Sequence, residues 1–302
     1  MSHDLTFKTT MHFAYGVPAP VSPGIVRLVA NNPSPLTFKG TNTYLVGMTQ
    51  LAVIDPGPRD ATHLAAILKA AAGRPIRQIF VTHAHRDHVD SAASLKAATG
   101  ATILGYGRES FAPVGPDTNP QGSEFIDFVF APDVKLAHGD VVEEKEWRLE
   151  ALHTPGHAPD HLCFTLGGRG VLFSGDHVMA WNTTLVAPPE GSMADYVESL
   201  ELLLLKQHSV YLPGHGGRLE DPQRTVRAYL LHRRWREQQV LEAIRGGVGT
   251  IQSIVPIIYP AIDIKLSSAA ALSVQAHVEH LIARGLVTCD GDPTWDRPLS
   301  LA

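Results

Sequence analysis

Residues 83–88 read His-Ala-His-Arg-Asp-His. The apolar run Gln78-Ile-Phe-Val-Thr82 leads into this stretch, and a helical pattern from about Val89 to Thr99 follows it. Side chains alternate along a strand, so His83 and His85 at a strand end point the same way. Asp87 and His88 fall in the turn that enters the helix and face a second point close by. Four candidate ligands in six residues therefore suit two neighbouring metal ions. Neutral imidazole and carboxylate favour zinc and, less selectively, iron or manganese.

Three later segments repeat the arrangement. His153-Thr-Pro-Gly-His157 follows a strand pattern and holds a tight Pro-Gly turn, Ser174-Gly-Asp176-His177 follows Val171-Leu-Phe173, and Pro213-Gly-His215-Gly216 follows Val210-Tyr-Leu212. Each places a ligand-type side chain on a loop just after a strand, where an α/β scaffold keeps its active sites. His177 stands next to Asp176 and is read as pointing the opposite way, so it is not counted as a ligand. His63, His138, His208 and His232 lack such a context and read as surface or structural residues.

Around these loops, short apolar strands alternate with helical patterns. Ala61 to Ala72 stops at Gly73, and Ser192 caps a helix to about Gln207 with Asp195 in a capping-box-like position. The mixture predicts an α/β layered fold. The texture changes at Asp221-Pro222. A long helix is expected over Gln223 to Arg245, then shorter ones near Thr250 to Tyr259 and Ser268 to Arg284, then a small hairpin from Leu286 to beyond Trp295. The chain thus divides into residues 1–222 and a winged-helix-like appendage, 223–302. No Gly/Ser tract joins them, so the appendage is expected to dock near the mouth of the site rather than swing free. Val226, Leu230, Trp235, Val240 and Leu241 supply its apolar surface. Ser273, His277, His280 and Arg284 form a polar face that would meet substrate or a partner chain.

The chain has 302 residues, 44% hydrophobic and 18% charged, with a formal charge of −5. That is ordinary for a globular protein with a large core and gives no overall basic footprint for nucleic acid. Cys163 and Cys289 are the two cysteines and are expected as reduced thiols. The start, Met1-Ser2-His3-Asp4, shows no leader, and no apolar run approaches the ~18 residues of a membrane span. A soluble cytoplasmic protein without membrane contact is expected.

The set His83-x-His85-x-Asp87-His88, His157, Asp176 and His215 resembles the full ligand set of the metallo-β-lactamase superfamily. Val53-Ile-Asp55-Pro-Gly57 is similar to that superfamily's first motif, whose aspartate supports the site from behind. The resemblance spans about Asn31 to Gly216. It implies a four-layer αββα sandwich with the metals at one edge of the two sheets. It also implies that His83, His85 and His157 hold one metal, that Asp87, His88 and His215 hold the other, and that Asp176 bridges them. Asn32-Pro-Ser-Pro-Leu-Thr-Phe-Lys-Gly-Thr-Asn-Thr-Tyr-Leu-Val-Gly47 and the helical appendage resemble the β-lactamase-like protein 2 family, which includes an endoribonuclease acting on single-stranded RNA.

Two zinc ions, with iron or manganese as alternatives, would hold a hydroxide between them at ~3.5–4 Å separation. Asp87 would be both ligand and catalytic acceptor. Asp55 would fix the tautomer of a ligand histidine. His161 and Asn182 are candidate substrate contacts. The expected reaction is hydrolysis of a small ester, thioester or lactone. Cleavage of single-stranded RNA is the alternative, supported by Arg233, Arg234 and Arg236 around Trp235, and a homodimer is a candidate assembly. A catalytically silent binding module is disfavoured by the complete ligand set.

Overall fold

A computed structural model of the chain describes residues 5–108 and 125–302. Residues 1–4, part of the stretch read for a leader, lie outside the described residues. The first sheet holds β1 (Ala19–Ser22), β2 (Ile25–Val29), β3 (Asn42–Val46), β4 (Leu51–Ile54), β5 (Ile76–Phe80), β6 (Thr102–Gly105) and β7 (Val134–Lys135), in that spatial order. Its strands are antiparallel up to β4 and parallel from β4 to β7. Helix α1 (Ala61–Ala71) links β4 to β5, and α2 (Arg86–Val89) and α3 (Ala92–Thr99) link β5 to β6.

The second sheet contains β8 (Val141–Glu143), β9 (Arg148–His153), β10 (Leu162–Leu166), β11 (Val171–Gly175) and β12 (Val210–Pro213), ordered β12-β11-β10-β9-β8. Helix α4 (Met193–Leu205) makes the crossover between the parallel pair β11 and β12. Ser192 caps α4 by accepting from the Asp195 N–H.

Side-chain alternation turns these two sheets into layers. Ile25, Tyr44, Ile54 and Phe80 of the first sheet pack against Leu149, Phe164, Phe173 and Leu212 of the second. On the outer face of the first sheet, Leu45, Val53 and Ile79 meet Ile67 of α1 and Leu95 of α3. On the outer face of the second, Leu152, Cys163 and Leu172 meet Tyr196, Leu200 and Leu203 of α4. The order helix, sheet, sheet, helix is the αββα sandwich that the motifs implied. Cys163 and Cys289 are both free thiols.

Beyond the second sheet run α5 (Pro222–Arg245), α6 (Ile251–Ile258), α7 (Ser267–Ala283) and the hairpin of β13 (Val287–Cys289) and β14 (Leu299–Leu301). Pro222 opens α5 and Asp221 caps it, accepting from the Arg224 N–H. The first half of α5 places Val226, Tyr229 and Leu230 in the core of the second sheet's outer layer. Its second half places Val240 and Ile244 in a separate core with α6, α7 and the hairpin. The appendage is therefore docked, through a helix shared by two cores.

Two expectations for the appendage are corrected. Trp235 is 38% exposed and takes no part in either core. Ser273 and His277 are buried, and His280 and Arg284 pair with Glu237 of α5. This polar face is turned toward α5, not toward a substrate. Among the described residues, no helix is long and apolar enough to cross a membrane.

Candidate metal centre

Five chain segments end at one edge of the sandwich. Asp55 follows β4, the 83–88 stretch follows β5, His157 follows β9, Asp176 follows β11 and His215 follows β12. The carboxyl ends of parallel strands are where open α/β sheets place their ligands. Ligand-type atoms converge there in three overlapping groups, each within 4.8 Å: His83, His85 and His157; His83, His88 and Asp176; and Asp87, His88 and His215. Asp176 thus lies between the two histidine clusters. Gly214 permits the close approach, since a Cβ there would stand 2.4 Å from the Asp176 carboxylate and 2.6 Å from the His88 ring.

Hydrogen bonds on the outer side of the rings fix what the inner side presents. His157 donates through Nδ1 to the Leu185 carbonyl at 2.7 Å. Thr82 gives its hydroxyl proton to Asp55 at 2.8 Å, so it accepts from His83 Nδ1 at 3.0 Å. His88 Nδ1 faces the Asp55 carboxylate at 2.9 Å, and His215 Nδ1 faces the Gly40 carbonyl at 3.3 Å. In the neutral form, each of these four rings then turns a bare Nε2 lone pair inward. His83 Nε2 and His157 Nε2 lie 2.9 and 3.1 Å from the same atom, Nδ1 of His85. His85 Nδ1 has at most one proton to offer, so these lone pairs are left facing each other without a cation. Among the described residues, a buried Asp176 oxygen, Oδ1, also has no hydrogen-bond partner. This donor set fits metal ions.

The electrostatics agree. Burial, reinforced by neighbouring His157, pushes His85 down to about 3, and burial likewise holds His83 and His157 below the ordinary imidazole value. These three are kept as neutral ligands. Burial opposes charge on His88 and His215 too, but the nearby carboxylates outweigh it. Asp87, Asp176 and Asp55 raise His88, while Asp176 and Asp87 bring His215 to about 9. In return, and against their own burial, Asp87 and Asp176 are held well below the usual carboxylate range. The second cluster is a carboxylate-rich pocket that demands positive charge.

The surrounding residues fall into those the sequence pointed to and those it did not. The Asp55 carboxylate accepts from the Thr82 N–H and hydroxyl and holds His88. Asn182 is exposed, with its side chain accepting from the Thr183 N–H. His161 is not placed to touch substrate: it is fully buried, Nδ1 meets Thr154 at 3.0 Å and Nε2 accepts from the Asp176 N–H at 3.1 Å. It supports the backbone of Asp176 from behind. His177 is buried and lies beside Tyr196, outside all three ligand groups.

Thr41 and Asn32 were not singled out as site residues, and His63 takes the structural role read for it. Thr41 donates to Asp87, Asn32 holds Thr41 from both sides, and His63 supports Thr43, which donates to the Asp55 carbonyl. Their spacing carries no ligand signal; Asn32 and Thr41 stood only within the stretch 32–47 that carried the family resemblance. Phe38 and Trp181 stack at 4.9 Å, and Trp181 packs on Gly216 beside His215, forming an aromatic wall at this edge.

Comparison with known proteins matches residues 36–215 to the metallo-β-lactamase superfamily model and residues 250–295 to a β-lactamase-associated winged helix domain. The chain is 30% identical to a β-lactamase-like protein 2 homolog of Drosophila melanogaster, over 86% of this chain and 88% of that one. It is 29% identical to an atrochrysone carboxyl ACP thioesterase of Aspergillus chevalieri, over 83% of this chain and 78% of that one. A β-lactamase domain protein of Burkholderia ambifaria shares the fold with a TM-score of 0.77 at 23% identity, covering 99% of this chain and 98% of its own. The motif at 83–88, the converging rings and these matches agree: the chain belongs to the metallo-β-lactamase superfamily and is a hydrolase.

Proposed function

We propose that the chain is a binuclear zinc hydrolase acting on a small ester, thioester or lactone-type substrate. One observation carries the reading: outer hydrogen bonds turn four histidine nitrogens inward, around buried carboxylates, at the carboxyl ends of strands. His83, His85 and His157 would hold one ion, Asp87, His88 and His215 the other, and Asp176 would serve both. Bound divalent zinc supplies Lewis acidity, which lowers the pKa of water toward about 7 and polarises an acyl oxygen.

The chain's own residues do the rest. Asp87 is the more open carboxylate of the set, its side chain 27% exposed against 10% for Asp176. It is ionised at neutral pH and so can accept a hydrogen bond that orients the attacking water. Thr41 fixes one of its oxygens, leaving the other to accept that hydrogen bond. The Phe38–Trp181 wall offers an apolar surface for an acyl chain. A thioester is the favoured member of the class, since a relative of similar length is named a thioesterase.

The test is elemental analysis followed by a substrate panel of thioesters, lactones and a single-stranded RNA oligomer, with Asp87→Ala as control. About two zinc ions per chain and acyl hydrolysis lost in Asp87→Ala are expected. A protein that takes up no metal overturns the reading. RNA cleavage without acyl hydrolysis moves the chemistry to phosphodiesters.

A further inference from the structure

We propose that α5 of the appendage is a working part of the metal centre. Tyr229 and Arg233 are positioning residues that hold the loop from Asp176 to Leu185. This inference rests on the metal-centre reading above.

The loop has no strand or helix to fix it, yet both of its ends serve the site. At one end stands Asp176. At the other, the Leu185 carbonyl accepts from His157 Nδ1 at 2.7 Å and so aims Nε2 of that ring inward. The points between are held from α5. The Tyr229 hydroxyl sits between two loop carbonyls, donating to Met179 at 2.7 Å and lying against that of Asn182. The Arg233 guanidinium donates to the Thr184 carbonyl. Thr184 in turn donates through its hydroxyl to the Asp176 carbonyl at 2.7 Å. Arg233 is thus two hydrogen bonds from the backbone of Asp176, and one bond plus one residue from the carbonyl that orients His157.

The chemistry of Arg233 points to positioning rather than filling. It is only 3% exposed, and among the described residues no carboxylate lies within ion-pair distance of it. A buried guanidinium is costly unless its N–H groups find acceptors. Its acceptors are a backbone carbonyl of this loop and the face of Tyr196, whose ring centroid lies 5.0 Å away. Tyr196 also donates to the His177 carbonyl at 2.8 Å, the residue next to Asp176. An apolar side chain would fill the same space without ordering the loop. Loops near a metal set ligand orientation, and removing such outer partners typically costs ~10–100-fold in metal affinity or activity.

The experiment uses the full chain and zinc ions, with affinity measured by competition against a chromogenic chelator. The variants are Tyr229→Phe, Arg233→Met and Arg233→Lys, with Leu231→Ala, an exposed position on the same helix, as control. Zinc affinity at least about tenfold weaker is expected in Tyr229→Phe and Arg233→Met. Arg233→Lys keeps a donor for Thr184 and should recover most of it, and Leu231→Ala should match the wild type. Far-ultraviolet dichroism establishes that each variant is folded. If Arg233→Met does not fold, Tyr229→Phe, which removes one hydroxyl, decides. Folded variants that bind zinc within twofold of the wild type overturn the clamp alone. A wild type that binds no zinc overturns the metal-centre reading, and the clamp with it.

Discussion

The Thr41 hydroxyl donates to Oδ2 of Asp87 across 2.9 Å, and Asn32 locks Thr41 by accepting its N–H at 2.9 Å and donating to its hydroxyl at 3.0 Å. Thr41→Val keeps the shape and removes the donor. Asp87 would then lose its orientation while remaining present. Turnover is expected to fall by about 10–100-fold with little change in KM. Steady-state hydrolysis of a thioester, with metal content measured on the same sample, checks this. Unchanged turnover would show that Asp87 needs no such support.

His63 gives a pH signature. Burial lowers it to about 4, against a smaller opposing pull from Asp60. Its folded pKa lies below its unfolded one, so folding favours the neutral ring. The contribution is fully present above about pH 6.5 and is lost as pH falls through about 4. At about 1.4 kcal/mol per pH unit of difference, the loss is about 3 kcal/mol. His63→Gln should therefore lose less stability than the wild type on acidification over this window. Parallel urea unfolding curves from pH 7 to pH 4 measure the difference; superimposable pH profiles would refute it.

His177→Ala should keep its metals. The ring is fully buried, neither nitrogen has a hydrogen-bond partner among the described residues, and burial pushes its pKa down to about 3. Removing it leaves a cavity that costs about 2 kcal/mol of stability. Asp176→Ala should instead lose the pair of ions. Zinc stoichiometry of the two variants side by side is the measurement, and equal losses would mean the ligand assignment is wrong.

Truncation after Asp221 should yield an aggregating protein. It removes Val226, Tyr229 and Leu230 from the core over the second sheet. Each such side chain is worth about 1.5–3 kcal/mol when fully buried. Together they are comparable to the roughly 5–15 kcal/mol of a whole domain. Size-exclusion chromatography of the truncated chain decides, and a soluble, monodisperse, metal-loaded product would show that the appendage is dispensable.

Local sequence determined much of this protein. The order of ligand types at strand ends was legible because each lies within a few residues of an apolar strand, where alternation and turn chemistry act locally. The cap at Ser192 and the long helix after Asp221-Pro222 were legible for the same reason.

Tertiary structure decided what depended on neighbours distant in the chain. The helix expected from Val89 to Thr99 is broken near Asp90 and begins a turn earlier, because His88 and Ser91 pair with the backbone of Gly57. The polar start of β3 is buried because Asn42 bonds to Pro213 and Gly216, some 170 residues on, and Thr43 bonds to Asp55 and His63. His157 and His161 look alike in sequence. One joins the ligand cluster and the other lies behind Asp176, since a loop's path, unlike a strand's alternation, is set by what packs against it. The same holds for Arg233: its helix was readable, but its acceptor in the Asp176 loop exists only once that helix is docked.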